Sequence, residues 1–301
     1  MSIKNRRELL FIYDVKNANP NGDPADENKP RIDEETGYNI VTDVRLKRTI
    51  RDYMFNYLGH QPEEGKDIFV RTTGYTDKNK QYIKDGKKRA LDFGKTKEEM
   101  LKNILTKCID IRLFGGVLPL EKDSITYTGP VQFKMGSSLH KVQLKYLKGT
   151  GAFASGEKKT RTTFREEYIL PYSLISFYGI VNENAAKQTN LSDSDVEELK
   201  DAIWGGTKNL ISRSKFEHAP QLLIEIKYKE ENFFIGELDK YISFNTELQD
   251  EKIRDIEEGK IDLSRLAGLL KKYNKKIEKI ELRKGERVVI SGFEGIEYNE
   301  V

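Results

Sequence analysis

The sequence predicts an α+β fold in which an antiparallel sheet of the split β-α-β type carries inserted pieces. Three observations point there. Segments with an apolar period of two and segments of helical period follow one another as strand, helix, strand, insertion, strand, strand, helix, strand. The stretch 72–97 is too polar to join that core, and residues 141–170 alternate on both flanks of a polar tip, as a hairpin does. No segment recurs at a period of roughly 20–50 residues, so a solenoid is excluded.

The totals set further bounds. A chain of 301 residues can bury one good core with a subdomain. Charged residues make up 34% and hydrophobic ones 37%, yet 15 Tyr and 14 Phe supply aromatic bulk, so extensive polar surface over a modest core fits better than disorder. The 52 basic and 49 acidic residues leave a net charge of +3, so any basic footprint for nucleic acid must be local. The single cysteine, Cys108, excludes a disulfide framework and a cysteine-rich zinc site, and its apolar neighbours favour packing over catalysis. No segment has the apolar length of a membrane span. The run 9–15 is too short for a signal peptide and reads as a core strand. A cytoplasmic protein without a membrane partner is expected.

Taken in order, residues 9–15 are the first strand and 17–41 a loop dense in Pro, Asn, Gly and Asp, the residues that set turns. Thr42 is placed to cap a helix whose Leu46, Ile50, Tyr53 and Tyr57 share a face, with Arg45, Arg48 and Arg51 clear of it. Residues 67–71 are a possible strand. Residues 72–110 form a finger-like insertion with Lys84, Lys87, Lys88, Arg89, Lys95 and Lys97, entering a helix over 97–111. A solvated insertion and a basic finger touching nucleic acid or a partner both stay open. Residues 125–133 read as a strand in which Pro130 marks an edge or bulge.

The hairpin 141–170 is a protruding thumb, with Val142, Leu144 and Tyr146 on one flank and Tyr168 and Leu170 on the other. Phe153 and Phe164 stand in its basic tip, suited to base stacking, to a subunit contact or to folding back on the body. Residues 172–182 are a buried strand. Ser192 caps a helix with Val196, Leu199 and Ile203 inward, which Gly205 and Gly206 are expected to end or kink. A strand over 221–228 follows, and Arg213, Lys215 and His218 just before it are a second candidate phosphate contact. Residues 250–301 complete the body. There Leu263, Leu266, Leu270, Tyr273 and Ile277 form one helical face, read as core rather than subunit seam, before a terminal hairpin turning at Lys284 and Gly285. All of this is assigned to one domain, residues 1–301.

A strand, a long irregular loop and a helix start with arginines make a phosphate-facing surface, because helix N-termini and guanidinium groups attract anions. A merely solvated arginine face is the alternative. The same stretch carries a long resemblance. DVKNANPNGDP (14–24), KPRID (29–33) and TGYNIVTDVRLKRTIRDY (36–53) resemble the CRISPR-associated RAMP proteins that form the backbone of type I Cascade complexes, in their Csh- and Csd-type branches and most like type I-B. Weaker echoes follow at IRLFGG (111–116), TGPVQF (128–133), GSSLH (136–140) and SRSKFEHAP (212–220).

The resemblance implies an RRM-like, that is ferredoxin-like, palm with finger and thumb. It implies a non-catalytic subunit, several copies of which polymerise head to tail along the spacer of a crRNA. Phosphate contacts would hold the RNA without reading sequence and leave its bases to pair with target DNA in antiviral defence. Expected partners are the crRNA, target DNA through it, other copies of the chain and other Cascade subunits. The matching motif assigns RNA contacts to Asn19, Asn21, Arg45, Lys47, Arg48 and Arg51, and the second basic stretch adds Arg213 and Lys215. Composition alone adds Lys158, Lys159, Arg161 and Phe164 on the thumb.

Catalytic chemistry finds less support. His60, His140 and His218 do not pair at HxxxH or HExxH spacing, which speaks against a zinc hydrolase. His60 lies in a turn and reads as exposed. His140 and His218 lie beside basic residues, as phosphate ligands or as general bases for RNA cleavage. Asp14, Asp23, Asp33 and Asp43, in or beside the opening loop, are candidate Mg²⁺ ligands for the alternative reading, a metal-dependent endoribonuclease of the same superfamily. Turns and caps use Asp equally well, and that structural use is preferred. No GxxxxGK[ST], GxGxxG or GxSxG occurs, and no cofactor or metal is expected.

Overall fold

The computed structural model describes residues 2–119, 124–154 and 162–301, with the backbone alone for 150–154 and 162–165. Its centre is the strand Arg7–Ala18, buried almost throughout. Leu9, Phe11, Tyr13 and Val15 point into one apolar cluster and Leu10 and Ile12 into another. A strand covered on both faces needs apolar residues at both parities, so this stretch reads as a continuous apolar run.

The sheet around it has nine strands. Its path runs Asn299–Glu300, Ile277–Lys284, Ala219–Tyr228, Arg7–Ala18, Thr162–Val181, Gly136–Lys141, Tyr38–Val41. Lys145–Ala154 pairs with the first half of Thr162–Val181 and Val131–Phe133 with its end. The ladders are antiparallel except the one between Ile277–Lys284 and Asn299–Glu300. The architecture is therefore α+β around a large mixed sheet. No helix among the described residues is long and apolar enough to cross a membrane.

Two helices cover one face. Thr42 caps Asp43–Tyr57 by accepting the Arg45 N–H at 3.3 Å, and Ser192 with Asp195 forms a capping box at the head of Asp193–Lys208. Leu46, Ile50 and Met54 meet Val196, Leu199, Ala202 and Ile203 over the sheet. Tyr53 is only half-buried and Tyr57 is exposed, because Thr49 and Met54 take the inward side. Gly205 and Gly206 do not end the second helix, which runs on to Lys208. A Cβ on Gly205 would lie 2.4 Å from the Tyr53 ring and one on Gly206 3.1 Å from the Thr49 carbonyl, so these glycines serve the close approach of the two helices.

The opposite face is covered by the C-terminal segment. Leu263, Leu266, Leu270 and Ile277 are buried against Leu10, Ile12, Tyr172, Leu174, Ile224 and Ile226, so this apolar face is core. The helix is shorter than its apolar spacing suggests: it spans Ser264–Lys272, and Ile277 opens the next strand. The expected terminal hairpin does not form. Ile277–Lys284 pairs with Ala219–Tyr228, whereas Ile290–Ser291 joins a three-stranded sheet with Ser243–Asn245 and Lys260–Asp262, where Val288 and Ile290 help close this core. Glu8, fully buried beneath the cover, accepts hydrogen bonds from the Tyr178 and Tyr228 hydroxyls and from the Ile235 and Gly236 amides at 2.9 and 2.8 Å.

The polar insertion has a core of its own, built by Phe69, Ala90, Phe93, Met100, Ile104, Cys108, Ile111 and Leu118. Residues 67–71 form no strand. The Asp110 carboxylate takes the Phe69 and Val70 amides at 2.8 and 3.0 Å, which uses the donors a ladder would need. Gly74–Asp77 and Lys80–Ile83 make a hairpin. The predicted helix over 97–111 breaks at Cys108, whose backbone is extended, into Lys97–Lys107 and Ile109–Phe114. The strand expected over 125–133 is likewise split, into Ser124–Thr128 and Val131–Phe133. At the break, a Cβ on Gly129 would lie 2.1 Å from the Phe114 backbone.

Candidate nucleic-acid interface

The opening loop is stitched to two other elements. The Asn21 side-chain oxygen accepts the Thr42 amide and hydroxyl at 2.8 and 2.9 Å, fixing the loop to the helix start. The Asn19 amide donates to Ser214 O at 2.8 Å, and its side-chain Nδ2 donates to Asn28 O at 2.6 Å. The first helical turn and the 212–218 turn are thereby brought together, and with them Arg45 and Lys215. The Lys215 ammonium donates to Asn19 O at 2.9 Å, and Arg45 reaches Thr49 Oγ1 at 3.1 Å. His218, buried, stacks on Tyr13 with ring centroids 5.7 Å apart.

No carboxylate among the described residues forms an ion pair with Arg45 or Lys215. Burial, then the Arg45 charge, pushes the Lys215 ammonium down to about 8. Burial, then Lys215 and Arg45, pushes His218 down to about 3, and burial lowers Arg45 itself. Half-buried cations that disfavour one another's charge form a site that an anion would relieve.

The other predicted contacts lie elsewhere or are engaged. Lys47 pairs with Asp43 at 2.9 Å and lies over the Phe114 ring. Arg48 is exposed and holds both oxygens of Asp52 at 2.7 and 2.8 Å. Arg51 is not clear of the buried surface: it pairs with the buried Asp110 at 3.1 Å and covers Phe114. Arg213, exposed, reaches Glu167 on the long strand at 2.6 Å. Lys158, Lys159 and Arg161 lie outside the described residues. Phe164 is opposite Thr150 in the hairpin ladder, described by its backbone alone. The structure thus gathers Asn19, Asn21, Arg45, Lys215 and His218, and adds Tyr13. Tyr13 was missed because a strand residue at core parity gives no sign that a histidine 205 positions later will stack on it.

The catalytic candidates are dispersed. His60 is buried rather than exposed, its Nε2 2.5 Å from Glu198. His140 is a satisfied core residue: Nδ1 faces Lys141 O at 2.8 Å, Nε2 accepts the Leu174 amide at 3.2 Å, and burial lowers its pKa. Asp14 accepts from Gln221 at 3.0 Å and is raised by burial, and Asp23 pairs with Arg31 at 2.6 Å. Asp33 caps its own turn through Thr36 and the Glu35 amide, and Asp43 holds Lys47. The four loop aspartates do not converge. Among the described residues the acidic groups that do are Glu197, Glu225 and Glu281, and the Lys200 ammonium already binds all three.

Two clefts of about 470 and 500 Å³ adjoin at the insertion and share Lys66 and Lys107. Their linings carry both signs: Arg71 pairs with Asp67 and Lys84 with Asp92 in the first, and Arg112 with Asp195 in the second.

The family model for CRISPR-associated protein Cas7 matches residues 5–264. The CRISPR-associated protein Cas7 of Haloferax volcanii is 32% identical over 305 aligned positions, covering 94% of this chain and 87% of the relative. Two solved structures share the fold at 12% identity. One, a CRISPR RNA-guided surveillance complex in a pre-nicking state, aligns with a TM-score of 0.60 over 98% of this chain and 96% of that one. The other, also a CRISPR RNA-guided surveillance complex, aligns at 0.55 over 98% and 94%. The chain is a member of the Cas7 family of CRISPR-associated proteins.

Proposed function

We propose that this chain is a non-catalytic backbone subunit of a CRISPR RNA-guided surveillance complex, of the type I-B kind, that holds the crRNA by its phosphates. The observation that carries the reading is the pairing of Arg45 with Lys215, two half-buried cations with no carboxylate partner among the described residues, where the opening loop meets the first helix. Contacts of this kind position an RNA without reading its sequence, so any spacer is accepted. The strand order Ala219–Tyr228, Arg7–Ala18, Thr162–Val181, Gly136–Lys141, with helices on one face, supports an RRM-like palm. Residues 72–110 act as finger, with the Lys66 and Lys107 clefts at its base, and 141–170 as thumb. Copies polymerise head to tail along the spacer beside other Cascade subunits and present its bases to target DNA. The endoribonuclease alternative has no gathered loop carboxylates to support it.

The test is to co-express the tagged chain with a CRISPR array and its neighbouring subunits, purify the complex and sequence its RNA. The expected result is an RNA of fixed repeat-derived ends and varied spacers in a multimer, lost from a folded Arg45→Glu/Lys215→Glu protein. Guide RNA carried undiminished by that double variant would overturn the site assignment. Mg²⁺-dependent cleavage of pairing RNA that disappears in Asp33→Ala would overturn the non-catalytic reading.

A further inference from the structure

Two buried polar atoms at the cationic cluster have no hydrogen-bond partner among the described residues: Asn19 Oδ1 and His218 Nε2. Both belong to residues at least nine-tenths buried, and both border Lys215, which bonds to the Asn19 carbonyl and lies three positions before His218. The Asn19 amide is oriented by the bond from its Nδ2 to Asn28 O at 2.6 Å, so the unmatched atom is an acceptor. An unmatched buried acceptor is costly, and it specifies what a ligand must bring. Phosphate oxygens only accept hydrogen bonds. They answer Arg45 and Lys215 but cannot answer Asn19 Oδ1.

We propose that this site reads the ribose as well as the phosphate, with Asn19 Oδ1 accepting a hydrogen bond from a 2′-hydroxyl while Arg45 and Lys215 hold the adjoining phosphate. The inference rests on the phosphate-binding reading above and names what that site selects. In RNA the 2′-hydroxyl sits on the carbon next to the one that carries the 3′-phosphate, so donor and anion arrive together; in DNA the donor is missing. On binding, the Lys215 ammonium leaves the Asn19 carbonyl for a phosphate oxygen, and the hydroxyl enters beside it. The neutral His218, held against Tyr13, donates its Nε2–H to the oxygen of the same hydroxyl. The subunit thereby disfavours DNA of the guide's own sequence.

The experiment compares three unstructured, fluorescein-labelled 20-mers of one sequence on the full chain: RNA, 2′-fluoro RNA and DNA. Fluorine keeps the sugar pucker of RNA but cannot donate, so shape and hydrogen bonding are separated. Anisotropy titrations are expected to give binding about tenfold weaker for 2′-fluoro RNA than for RNA, the loss of one buried hydrogen bond. In Asn19→Ala the two should bind alike, with an unchanged salt dependence. His218→Phe, which keeps the stack on Tyr13, should narrow the gap in part. Equal affinity of the wild-type chain for RNA and 2′-fluoro RNA overturns the proposal even if Asn19→Ala fails to fold. Failure of the underlying phosphate reading looks different: RNA affinity would then be untouched by Arg45→Glu.

Discussion

Lys215 makes RNA binding depend on pH in a way that can be worked out. In the free chain its ammonium titrates at about 8 rather than 10.5, held down by burial and by Arg45. A phosphate against it removes that penalty, so the bound state holds the proton to about its ordinary pKa of ~10.4. Binding therefore takes up protons wherever free Lys215 is partly neutral, and affinity falls as pH rises through about 8. Linkage between those two values gives roughly tenfold weaker binding at pH 9 than at pH 7. The assay is anisotropy with a single-stranded RNA oligonucleotide from pH 6.5 to 9.5 at constant ionic strength. Lys215→Arg, which cannot lose its proton in this range, should bind with a flat profile. The sign for the free fold is opposite. Its lysine pKa lies below the unfolded value, so the unfolded chain binds more protons between the two, and stability should rise from about pH 8 to 10.5. A wild-type profile as flat as that of Lys215→Arg would refute the reasoning.

Two further outcomes are expected. Glu8→Ala removes the acceptor of four hydrogen bonds beneath the C-terminal cover, two buried ones from tyrosine hydroxyls and two partly buried ones from amides. At about 1–2 kcal/mol each, the loss is about 4–8 kcal/mol, comparable with a whole domain's stability; a urea midpoint within error of wild type would count against it. Arg51→Ala should cost about 2–4 kcal/mol by stranding Asp110, which keeps only its two amide partners, whereas Arg48→Ala should cost under about 0.5 kcal/mol. Equal denaturation midpoints for the two variants would contradict the pairing of Arg51 with Asp110.

Much of the scaffold was legible because periodicity and caps are local. Thr42 and Ser192 cap where expected, and Leu46, Ile50, Val196 and Leu199 turn inward. What failed depended on partners distant in sequence. Gly205 and Gly206 look like a helix stop until Tyr53 and Thr49 press against them. Val288 and Ile290 look like the return of a hairpin until Lys260–Asp262 offers an edge. The first helix gave three equivalent arginines, and tertiary contacts separate them: Arg51 on Asp110, Arg48 on its neighbour Asp52, Arg45 facing another cation. Lys215 was flagged by composition. Its bond to Asn19, 196 residues away in sequence, is what makes the two basic stretches one site.

The strand Thr162–Val181 has one more implication. Its 20 residues run from the ladder with Lys145–Ala154 into the buried centre of the sheet. At about 3.3 Å per residue that is a beam of some 60 Å, clamped at one end between Arg7–Ala18 and Gly136–Lys141. The rungs of the ladder with Lys145–Ala154 are therefore placed by counting residues from the clamped end. Two added residues would shift Thr162 by about 7 Å along the strand with the same side chains facing the same way, and one would turn every side chain beyond it to the other surface. Reach and facing are thus set by residue number, as graduations are on a gauge.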